Sequence, residues 1–302
     1  MISKGMRLLR GAQFFWKAHV GNAFWKDRAE RRRVRKQAIE DWKEALLRPY
    51  LPFVESLKPS PPTSPRESGK EMIYCLWLQG EQNAPEIVKR CIGSIRSRYP
   101  DRTVVLDESN LHQYVSLSPQ IMKKWKEGKI VPANFSDIVR IELLYTRGGY
   151  WFDATDFLTG DIPEFITAGD FFLYMASPRL LSRMFVQTCF IRSKKGDPLM
   201  GMWRDLTMHY WENEEKAIDY FLVHYLLKFL VRHNKEAAQL FGKMPKLEHD
   251  ATHRLFGIAD EPFDRQKYEE MTRNAFFQKC NHRADNTIPD GSMADYIFNG
   301  KV

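Results

Sequence analysis

Two acids, Asp153 and Asp156, stand three residues apart directly after the apolar run Tyr150, Trp151 and Phe152. Carboxylates behind so apolar a segment are costly unless they face solvent or a metal. A pair of this kind suits a hard divalent cation, which takes oxygen ligands and shares them with phosphate. Upstream, Asp137 and Arg140 are spaced to share one helical face, where they form a fixed acid and guanidinium pair or grip a polar ligand. Each piece has a plainer account: a surface ion pair, a glycine cap at Gly148 and Gly149, a polar turn before Gly160. The combination is more specific than its parts.

Such residues need elements to hold them. The stretch VPANFSDIVRIELLYTRGG reads as a helix beginning near Asn134 or Ser136, with Ile138, Ile141, Leu144 and Tyr145 turned inward and Gly148 or Gly149 as its left-handed stop. A short strand, YWF, then carries Asp153 to its carboxyl end, where α/β sheets present ligand groups. Residues 72–78 and 102–107 read as buried strands, with a helix over 84–100 between them that turns Ile87, Cys91, Ile92 and Ile95 to one side. This alternation predicts an α/β, Rossmann-like parallel sheet. No glycine-rich nucleotide motif follows either strand, which disfavours a dinucleotide fold and a P-loop. Further on, 170–177 and 184–192 read as strands and 217–233 as a buried helix. Asp219 and His224 in that helix could reach the cleft, but the simpler account is a helix-surface acid and a satisfied core histidine.

The 302 residues, 43% of them apolar, are enough for one sizeable core or a core plus an appendage. The four cysteines, Cys75, Cys91, Cys189 and Cys280, form no Cys-x-x-Cys pair, so they read as reduced thiols of a cytoplasmic protein. No run approaches the roughly 20 apolar residues that span a bilayer, and the start has no signal-peptide pattern, so neither export nor an integral span is expected. The formal charge of +8 is concentrated: between Lys4 and Lys36 there are eleven Lys or Arg against two acids. Met6, Leu9, Trp16, Val20 and Phe24 recur there at helical steps. That pattern fits an amphipathic helix peripheral to an anionic membrane, or one packed on the rest of the protein. No motif accompanies the charge to support nucleic acid. Residues 58–70 are rich in Pro and Ser and read as a linker. The expected organisation is a basic amphipathic helical arm over 1–57, the linker, and a catalytic domain over 71–302.

The stretches YCLWLQGEQNAPEIVKRCIGSI and ANFSDIVRIELLYTRGGYWFDATDF resemble the capsular polysaccharide synthesis protein family. More distantly they are similar to D-x-D sugar transferases such as yeast initiating mannosyltransferases and clostridial glucosylating toxins. The resemblance covers roughly residues 71 to 260 and centres on S-D-x-x-R followed by G-G-x-x-x-D. It implies a GT-A fold, a nucleotide-diphosphate sugar donor such as a UDP-sugar, and Mn²⁺ or Mg²⁺. By position it implies that Trp77 stacks on the donor base, that Asp137 and Arg140 bind sugar hydroxyls, and that Asp153 is the first metal ligand. Gln79 and Gly80 beside Trp77, and Lys279 near the end, join the expected donor-binding set. Asp156, His253 and His282 are the further candidate metal ligands. Thr155 stands where the second D-x-D acid belongs, and the acid arrives one residue late as Asp156.

The expected function is a glycosyltransferase that builds a bacterial capsule-type polysaccharide, with a saccharide or glycolipid acceptor and with retention. The non-enzymatic alternative is a sugar-nucleotide or lipid-binding scaffold of an assembly complex. A Mg²⁺-dependent phosphatase would need an Asp nucleophile after the first strand, which LWLQG lacks. With Asp153 as a metal ligand, Asp153→Asn is expected to lower turnover and leave stability nearly unchanged.

Overall fold

The computed structural model describes residues 28–60, 70–178, 184–282 and 288–302. The apolar pattern from Met6 to Phe24 and most of the Pro/Ser stretch lie outside the described residues. The chain runs through α1 (Arg28–Leu47), α2 (Leu51–Ser56), β1 (Ile73–Leu76), α3 (Glu86–Arg98), β2 (Thr103–Leu106), α4 (Pro119–Lys126), α5 (Pro132–Arg147), β3 (Gly149–Phe152) and β4 (Asp156–Leu158). It continues through α6 (Glu164–Thr167), β5 (Phe171–Met175), β6 (Val186–Ser193), α7 (Pro198–Asn213), α8 (Leu222–His233) and α9 (Lys235–Lys243). Then come α10 (Leu255–Ile258), α11 (Arg265–Asn274), β7 (Phe277–Lys279) and α12 (Met293–Phe298).

Five strands form the central sheet in the order β2-β1-β3-β6-β5. β1 is parallel to both β2 and β3, as expected. β6 departs from the expected parallel sheet and runs antiparallel to β3 and β5. The β5–β6 connection is too short for the crossover that parallel neighbours need, so the chain doubles back. Tyr150, Trp151 and Phe152 of β3 are all buried, because helices and the β4–β7 ribbon cover the central strand on both sides. That is the physical reason for an unbroken apolar run ahead of the acids.

The helix before β3 starts at Pro132, earlier than Asn134 or Ser136, since proline in the first turn lacks only an N–H that has no helical partner there. It ends as expected at Gly148, φ 70°. Two glycines are required at this corner. A Cβ at Gly148 would lie 2.4 Å from the Lys195 nitrogen, and one at Gly149, φ 102°, would lie 2.3 Å from the Met72 carbonyl oxygen. The helix expected over 217–233 begins only at Leu222. Asp219 Oδ1 accepts the Phe221 N–H at 2.9 Å, a local turn that competes with helix for the preceding residues.

Residues 28–57, expected as the second half of the arm, pack on the domain instead. Lys43 lies 3.3 Å from Asp219 and donates to the Tyr225 hydroxyl, and Arg232 lies 2.9 Å from Glu44. Leu46, Leu47, Tyr50, Val54 and Leu57 join the main core. Asn234 Nδ2 donates to the carbonyls of Val54 and Leu57 at 2.8 and 3.0 Å, closing the end of α2. All four cysteines are free, buried thiols.

Candidate active site

A cleft of about 690 Å³ opens at the carboxyl ends of β1 and β3 and runs across to the start of β6. Asp153 sits on its floor, held by the backbone from two directions. Its N–H donates to the Cys189 carbonyl at 2.8 Å, continuing the β3–β6 ladder, and to Asp156 Oδ2 at 3.2 Å. The Asp156 N–H donates back to the Asp153 carbonyl at 2.9 Å. Asp156 is fully buried and locks this turn from beneath.

Arg140 reaches the same floor from α5. Its Nη1 donates to the Thr188 carbonyl at 2.5 Å and its Nη2 to Ser136 Oγ at 3.1 Å. The same Nη2 lies 3.2 Å from Asp153 Oδ1 and 3.5 Å from Asp137 Oδ1. Trp151 Nε1 also donates to Asp153 Oδ1, at 3.0 Å. The second cation arrives from the far end of the chain. β7 pairs antiparallel with β4 so that Lys279 lies opposite Asp156. Lys279 Nζ is then 2.6 Å from Asp153 Oδ2 and 3.3 Å from Asp156 Oδ1.

The carboxyls differ because their surroundings do. Burial would raise Asp153, but Lys279 and then Arg140 outweigh it and hold the group at about 2. Burial pushes Asp156 up to about 8 against the pull of Lys279, and pushes Asp137 up to about 7 against that of Arg140. Lys279 is raised: burial works against its charge, but Asp153 and Asp156 outweigh it. Two cations thus favour the charge on Asp153, whereas burial works against charge on Asp137 and Asp156. The floor is therefore short of negative charge and suited to an anion.

Trp77, Gln79, Asp137, Arg140, Asp153, Lys279 and His282 all line the cleft. His282 meets the Trp77 ring edge-on, with centroids 5.5 Å apart. Gly80 shapes the turn below Trp77, its N–H donating to the Trp77 carbonyl at 2.9 Å, and does not line the cleft. His253 is not among the lining residues either. Its Nδ1 pairs with Thr252 Oγ1 at 2.8 Å and its ring packs between His249 and Phe256.

The carboxylates do not fit a divalent ion as they stand. Both Asp153 oxygens are engaged by Lys279, Arg140 and Trp151, and Asp156 Oδ1 faces Lys279. Among the described residues, no group of three or more His, Cys, Asp or Glu is arranged to hold a metal.

Sequence reasoning missed Gln187, Thr188, Tyr220 and Phe221, which form the cleft wall on the β6 side; Tyr220 is 61% exposed at the rim. His224 lines this wall too. It is also satisfied, as expected, since its Nδ1 lies 2.6 Å from the Val186 carbonyl oxygen. That contact puts the ring hydrogen on Nδ1 and leaves Nε2 as acceptor, 3.5 Å from Thr188 Oγ1. His224 thus reaches the cleft as well, whereas Asp219 does not line it.

Burial pushes His224 down to about 4 from 6.5. The unfolded chain thus binds a proton that the folded one refuses. This contribution to stability is present above pH 6.5 and is lost as pH falls toward 4. It amounts to about 3 kcal/mol on the basis of the shift. Asp137 and Asp156, raised in the fold, act in the opposite direction. The clean measurement is therefore the difference between wild type and His224→Asn, whose amide nitrogen replaces Nδ1. Between pH 6.5 and 4 the wild-type melting temperature should fall relative to the variant's. Parallel curves would contradict the assignment.

The fold and site define an α/β domain that gathers carboxylates, a guanidinium and an ammonium in a cleft at the ends of its strands. The chain belongs to the capsular polysaccharide synthesis protein family, whose model matches residues 22–297. That match includes α1 and α2, consistent with their packing on the core. Among curated proteins the chain is similar to the O-glycosyltransferase braB of Annulohypoxylon truncatum, 29% identical over 175 residues, or 52% of this chain and 41% of that one. The chain thus spans less than half the length of that relative. Among solved structures, the PaToxG glycosyltransferase aligns with a TM-score of 0.38 and 16% identity over 81% of this chain and 100% of that one. So loose a superposition bears no weight.

Proposed function

We propose that this protein transfers a hexose from a nucleotide-diphosphate sugar, a UDP-sugar by resemblance, to a saccharide or glycolipid acceptor during synthesis of a cell-surface polysaccharide. The observation that carries the reading is the cleft floor, where Arg140 and Lys279 flank one ionised carboxylate beneath a tryptophan lip. Trp77 offers its ring to the base, and Asp137 with Arg140 faces the sugar hydroxyls. When the anomeric C–O bond breaks, its electron pair passes to the diphosphate oxygen, where fixed positive charge stabilises the leaving group. The acceptor hydroxyl forms the new C–O bond and its proton leaves with the diphosphate. We assign the reaction retention of anomeric configuration. Tyr220, exposed among the cleft's lining residues, supplies a flat apolar face for an acceptor sugar ring.

The test is donor hydrolysis: purified protein with a panel of nucleotide sugars, with released nucleoside diphosphate as the readout. Release from at least one donor, increased by an acceptor, is expected. Neither turnover nor binding with any donor would turn the reading toward a scaffold.

The basic N-terminus belongs to the same reading, as a peripheral attachment to the cytoplasmic face of a membrane. Among the described residues no helix is long and apolar enough to cross a bilayer. Because α1 and α2 are part of the fold, the segment to delete is 1–27, which carries five Lys or Arg together with Trp16, Phe24 and Trp25. Each basic residue near an anionic surface adds on the order of 1 kcal/mol. Cosedimentation with phosphatidylserine vesicles should weaken with salt and vanish on deletion, while the melting temperature stays put. Equal pelleting of both forms would refute the attachment.

A further inference from the structure

Lys279 occupies the place that the D-x-D comparison gives to a metal. Its ammonium lies 2.6 Å from Asp153 Oδ2 and 3.3 Å from Asp156 Oδ1, the oxygens a divalent ion would have to use. The backbone sets this placement. Lys279 is in register with Asp156 in the β4–β7 pair, and the next residue, Cys280, donates its N–H to the Thr155 carbonyl at 2.7 Å. Thr155, in the second acid position, is neutral and only 8% exposed. Asp156 is sealed from solvent, so the late acid serves the turn and the lysine, not the cleft.

Lys279 brings a positive charge to the metal's place, beside that of Arg140, which lies 3.2 Å from the other oxygen of Asp153. Both side chains line the cleft. An ammonium has three hydrogens, and the two carboxylates use at most two of them, which leaves a donor for an oxygen of the departing diphosphate.

We infer that Lys279, fixed by Asp153 and Asp156 and paired with Arg140, is a built-in counter-charge for the nucleoside diphosphate, so that donor binding needs no divalent ion. This rests on the reading of the donor as a nucleotide-diphosphate sugar.

Two measurements on the full chain test it. In the first, Mn²⁺ alone is titrated into the protein and followed by electron paramagnetic resonance. Wild type should leave the ion's spectrum that of free Mn²⁺, whereas Lys279→Ala, which uncovers the two carboxylates, should gain a site. In the second, calorimetry with UDP, GDP and CDP is run with and without EDTA. Wild type should bind its nucleotide equally in both, and Lys279→Ala should lose roughly 10- to 100-fold in affinity, as when a charge-assisted hydrogen bond is removed. Lys279→Arg keeps the charge and should retain metal-free binding better than alanine, which guards against a variant that simply misfolds. A tight Mn²⁺ site in wild type, or nucleotide binding that collapses in EDTA, would overturn the inference and leave the glycosyltransferase reading standing. Failure of all three nucleotides to bind would sink the donor reading and the counter-charge role together, with the Mn²⁺ titration still reporting what the carboxylates hold.

Discussion

Asp153→Asn is expected to lower glycosyl transfer by roughly 10²-fold or more, the effect of removing one electrostatic element from a preorganised site. The side chain is the common partner of Lys279, Arg140 and Trp151, so its charge fixes the position of both cations over the floor. Asparagine keeps the shape, but it offers one carbonyl oxygen and an amide that repels whichever cation it faces. Stability should fall as well, where the sequence alone led us to expect almost no change. Removing one partner of a fully buried ion pair costs about 3–5 kcal/mol. With Asp153 still 26% exposed, solvent screening reduces that to about 1–3 kcal/mol. Turnover measured well below the melting temperature of each protein separates the two effects. Wild-type transfer by Asp153→Asn would remove the residue on which the site is centred.

Arg140→Lys preserves charge and should still fail. The guanidinium uses its fork: Nη1 to the Thr188 carbonyl, Nη2 shared by Ser136 Oγ, Asp153 and Asp137, and its Cζ 5.0 Å from the centroid of the Trp151 ring. A lysine has one nitrogen and cannot serve α5, β6 and the β3 terminus together. The side chain is only 7% exposed, so the abandoned groups find little water. The expected cost is about 2–4 kcal/mol of stability, visible as a lower denaturant midpoint at unchanged slope. Donor KM should rise along with the fall in kcat, because Arg140 faces both the sugar and the leaving group. An unchanged midpoint together with an unchanged donor KM would show that the fork has no role beyond its charge.

Much of this was legible along the chain, where the physics is local. The strands at 73–76, 103–106, 149–152, 171–175 and 186–193 announce themselves as apolar runs between turn residues, and α5 ends at a glycine pair that nothing with a Cβ could replace. The spacing of Asp137 and Arg140 on one helix, and the position of Asp153 at a strand's end, follow from helix period and strand direction alone. These features also carried the family resemblance, which the match over residues 22–297 bears out.

Tertiary structure decided the rest, because it depends on which distant segments meet. No local pattern says that residues 28–57 would bury Leu46, Tyr50 and Val54 against the domain rather than stay with the basic N-terminus. Nor does the sequence around Phe277 reveal that its three-residue strand pairs with β4 and sets Lys279 opposite Asp156, more than a hundred residues earlier. That pairing changes the meaning of the two acids. By themselves they read as ligands waiting for a metal; in the fold, an ammonium already stands between them. Sequence determined which charges the site contains and on which elements they ride. Only the packing of those elements determined their neighbours, and through burial and counter-charge it is the neighbours that make Asp153 an ionised anchor and Asp156 a buried lock.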